Sequence, residues 1–203
     1  MGDGGDVGSA IAAIRAGGLV VMPTDTVYGL VCTAYREAPA RELYRLKGRA
    51  AGQPTALVAA SVDLLLECVP ELQGRGGTIA RALLPGPFTL VLRNPAYRFG
   101  WLSGERPDTI GVRVPALEGP GRAVLDGAGA IAATSANVVG GADPIRPADV
   151  SAQIRAGIEV LVDGGVLPGV PSTVIDLTTE APRVLRAGAG DAADALERIA
   201  ALV

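Results

Sequence analysis

Leu19-Val20-Val21-Met22-Pro23-Thr24-Asp25-Thr26-Val27-Tyr28-Gly29-Leu30 is the stretch on which the fold turns. Its four leading apolar residues follow Gly17-Gly18 and stop at Pro23, the length and punctuation of a strand buried on both faces. Pro23 fixes its own φ and removes a backbone donor, which ends the strand, and Gly29 lets the chain turn or come close to another group. Thr24, Asp25 and Thr26 therefore stand at the carboxyl end of a buried strand, where open α/β sheets gather their ligand-binding groups. The same three residues also suit a plain cap on a following helix, and so short a motif leaves both readings open.

Composition narrows the surroundings of that strand. The 203 residues suffice for one sizeable core, so a single domain over 1–203 is expected. Nearly half of the chain is apolar (49%) but only 3% is aromatic, so the core has to be built from Val, Leu, Ile and Ala. That favours an α/β sandwich of β-branched strands under Ala-rich helices. A net charge of −3 argues against a broad electrostatic surface for nucleic acid and leaves room for a local basic cleft. Cys32 and Cys68 form no CxxC pair, which with the absence of a signal-peptide pattern points to a reducing, cytoplasmic setting. No apolar run approaches the ~20 residues of a membrane span. Histidine is absent altogether, which excludes a Ser-His triad and a His general base. Lysine, arginine, hydroxyls, carboxylates and bound metal are left to carry any chemistry.

Along the chain, residues 1–6 are rich in Gly and Asp and are expected to be mobile. Helical spacing predicts helices over 7–16, 39–47, 61–69, 77–84, 120–126, 147–156 and 192–202, and apolar runs predict strands between them. Residues 94–108 show no period and read as a surface loop or lid. Lys47-Gly48-Arg49 ends one helix; the two cations can hold one anion or simply be solvated charges favoured by the helix dipole. Thr134-Ser135-Ala136-Asn137 follows a buried strand just as Thr24 to Thr26 do, and two polar strand ends at one sheet edge make a site plausible. Arg113 closes another strand. In Arg183-Val184-Leu185-Arg186 a regular pleat sends the two arginines to opposite faces, so Arg186 is the ligand candidate unless the strand is bulged.

Taken together, Pro23 to Leu30, Lys47-Gly48-Arg49, Pro85-Gly86-Pro87-Phe88-Thr89, Val112-Arg113-Val114-Pro115, Thr134 to Asn137, Ser172-Thr173-Val174-Ile175-Asp176 and Leu185-Arg186-Ala187-Gly188 resemble the YrdC/Sua5/YciO family over about residues 8–190. The resemblance implies one twisted, mixed α/β sheet with flanking helices around a positively charged central cavity, in the form of the short members without a further C-terminal domain. It implies a nucleotidyltransferase that joins L-threonine, bicarbonate and ATP, with Mg²⁺, into threonylcarbamoyl-AMP and diphosphate. The product would pass to a tRNA threonylcarbamoyl-transfer complex that modifies adenosine 37, in the cytoplasm.

By the same resemblance, Lys47, Arg49, Ser135 and Asn137 form the catalytic and phosphate-holding tetrad. Arg113, Ser172 and Arg186 contact the nucleotide, and Thr26, Arg113 and Thr173 contact threonine. Mg²⁺ would be held by phosphates and water rather than by a protein cage. The chain departs from the family where Ala50 replaces a proline and Val58 replaces a histidine near the substrate, which weakens the expectation of strict threonine specificity. Two other readings stay open: a relative that makes a different carbamoyl-adenylate, and a module binding double-stranded RNA. The acidic composition and the scarcity of aromatics count against the second.

Overall fold

The computed structural model describes residues 3–49 and 52–202. The quoted stretch forms β1 (Val20–Met22), every residue of it buried, and Pro23 ends it as expected. No helix starts after that proline. Residues 23–28 loop back and lead into β2 (Gly29–Thr33), which lies antiparallel to β1 with Met22 opposite Gly29.

The remaining strands are β3 (Ala56–Val58), β4 (Phe88–Arg93), β5 (Thr109–Arg113), β6 (Ile131–Ser135), β7 (Val160–Leu161), β8 (Thr173–Asp176) and β9 (Arg183–Arg186). They form one nine-stranded sheet in the order β7-β1-β2-β6-β3-β5-β4-β8-β9. Three pairings are parallel, β1 with β7, β3 with β5, and β4 with β8, and the others are antiparallel, so the sheet is mixed.

Helices α1 (Asp3–Ala16), α2 (Glu37–Lys47), α3 (Val62–Cys68), α4 (Arg75–Leu83), α5 (Gly119–Ala128), α6 (Ala152–Ala156) and α7 (Ala192–Ala200) flank it. The helix read from Val7 begins earlier, at Asp3; residues 1 and 2 lie outside the described residues. The helix read over 147–156 is broken. Its proline opens a short 3-10 turn (Pro147–Asp149), and Ser151, whose side chain accepts from the Ile154 N–H, starts α6 afresh.

The two faces of the sheet are covered unequally, and that asymmetry makes the site. One face is roofed by α2, α3, α4, α6 and α7, whose Leu43, Leu65, Ile79, Ile154 and Ile199 are buried against Leu30, Leu57, Leu90 and Val112. On the other face only α1 and α5 pack, setting Ala10, Ile14, Val124 and Leu125 over Val20, Met22, Val31, Val58 and Ile131. The rest of that face, over β3, β4, β5, β6 and β8, stays open as the floor of a cavity. Because side chains alternate along a strand, Thr89 and Val91, Gly111 and Arg113, and Ala56 and Val58 share this floor while their neighbours enter the helix-covered core.

Candidate active site

The cavity has a volume of about 520 Å³ and is walled by loops from six parts of the chain. Residues 23–28 cross above the floor: the Thr26 carbonyl accepts from the Gly169 N–H and the Tyr28 N–H donates to the Pro144 carbonyl. Tyr28, fully buried, ties in the next loop by donating its hydroxyl to the Gly165 carbonyl (2.9 Å) and accepting from the Gly164 N–H (2.9 Å). These bonds join loops from three parts of the sequence into one wall.

At one end stands Arg49. The α2 helix ends at Gly48 in the left-handed region (φ 66°), where the Gly48 and Arg49 N–H groups cap the Arg45 and Tyr44 carbonyls. That conformation is the physical reason for the glycine. The reversal sends Lys47 inward and lays Arg49 over the Tyr44 ring at 5.9 Å, with bonds to Gln53 (2.8 Å), Thr55 (3.1 Å) and Thr134 (3.4 Å).

Lys47 lies immediately behind this corner and is itself buried. Its ammonium donates to the Ser135 carbonyl and to Asn137 Oδ1 (2.9 Å), and Ser135 Oγ donates to the same Asn137 oxygen (2.7 Å). Burial, with Arg49 adding repulsion, brings the Lys47 ammonium down to about 8. Lys47, Ser135 and Asn137, from two distant stretches, are thus one hydrogen-bonded cluster, and Arg49 stands beside it on Thr134. Of these, Arg49 and Ser135 line the cavity, whereas Lys47 and Asn137 support it from behind.

At the opposite end of β5, Arg113 donates to Asp25 and to Thr26 Oγ1 (3.1 Å), and Asp25 also accepts the Ala116 N–H (3.1 Å). Burial raises the Asp25 carboxyl against the pull of Arg113, and burial likewise lowers the Arg113 guanidinium. Arg113 Nε is buried without a partner among the described residues, a donor that costs free energy until something accepts from it.

The third corner is Arg186. It donates to the Ser172 carbonyl (2.8 and 3.1 Å) and to Ser172 Oγ (3.2 Å), which meets Thr89 Oγ1 at 2.9 Å. The β8–β9 pairing is bulged, with Val174 opposite Arg186 but Ile175 opposite Val184. Arg186 still faces the cavity, and Arg183 turns away to Asp176 (3.0 Å).

Thr26, Arg49, Arg113, Ser135, Ser172 and Arg186 therefore converge on one space, with Lys47 and Asn137 behind it. Thr173 does not join them. It is fully buried, donating to the Gly190 carbonyl (2.6 Å) and accepting from the Gly188 N–H (2.9 Å), so its hydroxyl holds the chain after β9 rather than a ligand. Sequence reasoning gave Asp25 only a place among polar groups at a strand end, not the pairing with Arg113, and named no individual role for Thr55, Thr89 and Thr134. It also missed Ser103, Glu105 and Arg106, which line the cavity from a segment that carries no periodic signal. Val58 lines the apolar part beside Arg113, and Ala50 lies outside the described residues.

Comparisons with known proteins accord with this geometry. A family model named for Sua5, YciO and YrdC, described as telomere recombination, matches residues 12–188. A threonylcarbamoyl-AMP synthase of Pyrococcus abyssi is 37% identical over 88% of this chain, which spans 53% of that relative's length. A threonylcarbamoyl-AMP synthase of Thiobacillus denitrificans is 39% identical over 87% of this chain and 92% of its own. Among solved structures, Pyrococcus abyssi Sua5 complexed with L-threonine superposes with a TM-score of 0.86 at 35% identity, covering 95% of this chain and 57% of that one.

Proposed function

The chain belongs to the Sua5/YciO/YrdC family, and from that premise we propose that it is a nucleotidyltransferase that makes threonylcarbamoyl-AMP and diphosphate from L-threonine, bicarbonate and ATP. The observation that carries the reading is the convergence of Arg49, Arg113 and Arg186, backed by Lys47, on one cavity in a chain whose net charge is −3. Cations collected there against the overall balance fit substrates that are anions.

The chemistry asks for that collection. Threonine's amine and bicarbonate form a carbamate with loss of water; a carbamate oxygen then attacks the α-phosphorus of ATP, its new P–O bond replacing the bond to departing diphosphate. Both partners are negative, so repulsion and misalignment are the main obstacles, and fixed cations with hydroxyl donors lower both. In this reading Arg49 and Ser135, backed by Lys47 and Asn137, hold phosphate and carbamate oxygens, Arg186 and Ser172 hold the nucleotide, and Arg113 with Thr26 receives threonine. No step requires a histidine.

Among the described residues no cluster of three or more Asp, Glu, Cys or His side chains is placed to hold a metal. In this reading Mg²⁺ would arrive on the nucleotide, held by phosphate oxygens and water, and would neutralise phosphate charge there. The mixed anhydride is a reactive acyl donor, and a tRNA threonylcarbamoyl-transfer complex in the cytoplasm is its proposed recipient. No described helix is long and apolar enough to cross a membrane.

The test is an assay of pyrophosphate and of the AMP anhydride with threonine, serine or no amino acid, each with and without bicarbonate. Product formation that requires both threonine and bicarbonate is expected. Pyrophosphate release that ignores either one overturns the reading.

A further inference from the structure

Thr24 also borders the cavity, half-buried, directly after the proline that ends β1. Both arms of its side chain are fixed. The hydroxyl donates to the Val27 carbonyl at 2.6 Å, and the methyl lies where a Cβ on Gly29 would meet it at 3.2 Å. A carbonyl oxygen only accepts, so the single Thr24 hydroxyl proton is committed to Val27. The Thr24 oxygen has lone pairs alone left to offer, and it receives the Thr26 and Val27 N–H groups at 3.2 and 3.3 Å.

The Thr24 and Thr26 hydroxyls stand 3.0 Å apart. With the Thr24 proton spent on Val27, Thr26 is the donor in this contact. Arg113, whose guanidinium has no acceptor, donates from Nη2 to the same Thr26 oxygen at 3.1 Å. These groups therefore form a chain that runs in one direction only, from Arg113 to Thr26 to Thr24 to the Val27 carbonyl. Thr26 is fully buried, so bulk water does not reach it to replace a lost partner.

Nη2 also donates to Asp25, so one nitrogen of the guanidinium is clamped from two sides. Asp25 supplies charge, and the hydroxyl chain supplies direction. Take away the Thr24 oxygen and the order fails: the Thr26 proton loses its acceptor, and turning it toward Arg113 sets donor against donor.

Resting on the function proposed above, in which Arg113 receives threonine, we propose that Thr24 is a positioning residue. It sets the proton order that keeps Thr26 an acceptor, and through Thr26 it holds the Arg113 guanidinium in the orientation that meets the carboxylate of the amino acid. Its effect falls on amino-acid binding and leaves the nucleotide alone.

The test uses Thr24→Val, which keeps the shape and removes the hydroxyl, Thr24→Ser, which keeps the hydroxyl, Thr26→Val, and the double variant of Thr24→Val with Thr26→Val. Each is followed in steady-state kinetics, with thermal unfolding as the check on folding. Thr24→Val is expected to raise the KM for threonine about tenfold, with kcat and the ATP KM within about twofold of wild type, and Thr24→Ser to bring the threonine KM back to within about twofold. The threonine KM of the double variant should be no higher than that of Thr26→Val, because both substitutions break the same chain. Should Thr24→Val not fold, Thr24→Cys, whose thiol is a weaker acceptor, takes its place with an expected rise of about fivefold. An unchanged threonine KM, equal rises in the threonine and ATP KM values, or losses that multiply in the double variant overturn the inference. Wild-type protein that makes no product from threonine, bicarbonate and ATP would instead overturn the function on which it rests.

Discussion

Asp25 and Arg113, 88 residues apart in sequence, meet as a buried ion pair in which the aspartate also accepts the Ala116 N–H. Their side chains are 10% and 13% exposed, so little water screens the pair and neither charge is easily left alone. Removing one partner leaves the other uncompensated. Asp25→Ala and Arg113→Ala should each cost ~3–5 kcal/mol, and the double variant should cost clearly less than their sum. Denaturant midpoints of the three proteins measure this; additive losses would show that the pair is not coupled. The milder Asp25→Asn keeps the shape, and its predicted effect is a rise in KM for threonine through a misdirected Arg113.

Lys47 gives the site a pH dependence with a definite sign. Its ammonium is brought down to about 8 by burial, from the ordinary 10.5. It is therefore charged below pH 8 and loses its proton as pH climbs through that value, so kcat/KM for ATP should fall above pH 8. Stability moves the other way: between 8 and 10.5 the unfolded chain holds the proton and the folded one does not, so this residue's contribution rises over that window. Lys47→Met should abolish most pyrophosphate release and remove the alkaline limb from what activity remains. A profile in Lys47→Met with the same limb as wild type would assign that titration elsewhere.

Ser172 and Thr173 are adjacent hydroxyls with opposite roles. Ser172→Ala removes the hydroxyl that joins Arg186 to Thr89, and it is predicted to raise the ATP KM by about tenfold, ~1.4 kcal/mol, with little change in melting temperature. Thr173→Val buries the Gly190 carbonyl and the Gly188 N–H without their partner, at a cost of ~1–3 kcal/mol in stability, and leaves both KM values near wild type. Kinetics and thermal unfolding on the two variants should separate cleanly.

The segment from Asn94 to Asp108 is expected to behave as a fixed wall. Asn94 is fully buried and holds the Arg98 carbonyl (2.8 Å) and the Arg98 N–H (3.0 Å), and the Tyr44 hydroxyl donates to the Trp101 carbonyl (2.9 Å). Leu102 takes the Thr55 N–H on its carbonyl, which fastens the wall to the start of β3. Hydrogen exchange should find the Leu102 and Asn94 amides protected with or without nucleotide. Asn94→Ala should destabilise by ~1–3 kcal/mol, because it strands several backbone groups. Exchange that is fast without ligand and slow with it would restore the reading of this segment as a lid.

The α/β class, most strands and helices, and the residue types of the site were legible in the chain before any coordinates, because apolar runs, prolines and glycines are local signals that need no partner to be read. The quoted blocks also named the cationic and hydroxyl groups that converge on the cavity. Long-range packing was needed to establish that the stretch after Pro23 returns as an antiparallel strand, and that the site occupies a face of the sheet rather than one edge. The reason is that β5 runs opposite to β1 and β6, so Arg113 and Ser135 end at opposite edges and are joined only by the floor between them. Which side of a strand meets the cavity is likewise a matter of what covers it. Thr173 and Ser172 look alike in sequence, and the helices roofing one face of the sheet, but only part of the other, assign one to the framework and the other to the site.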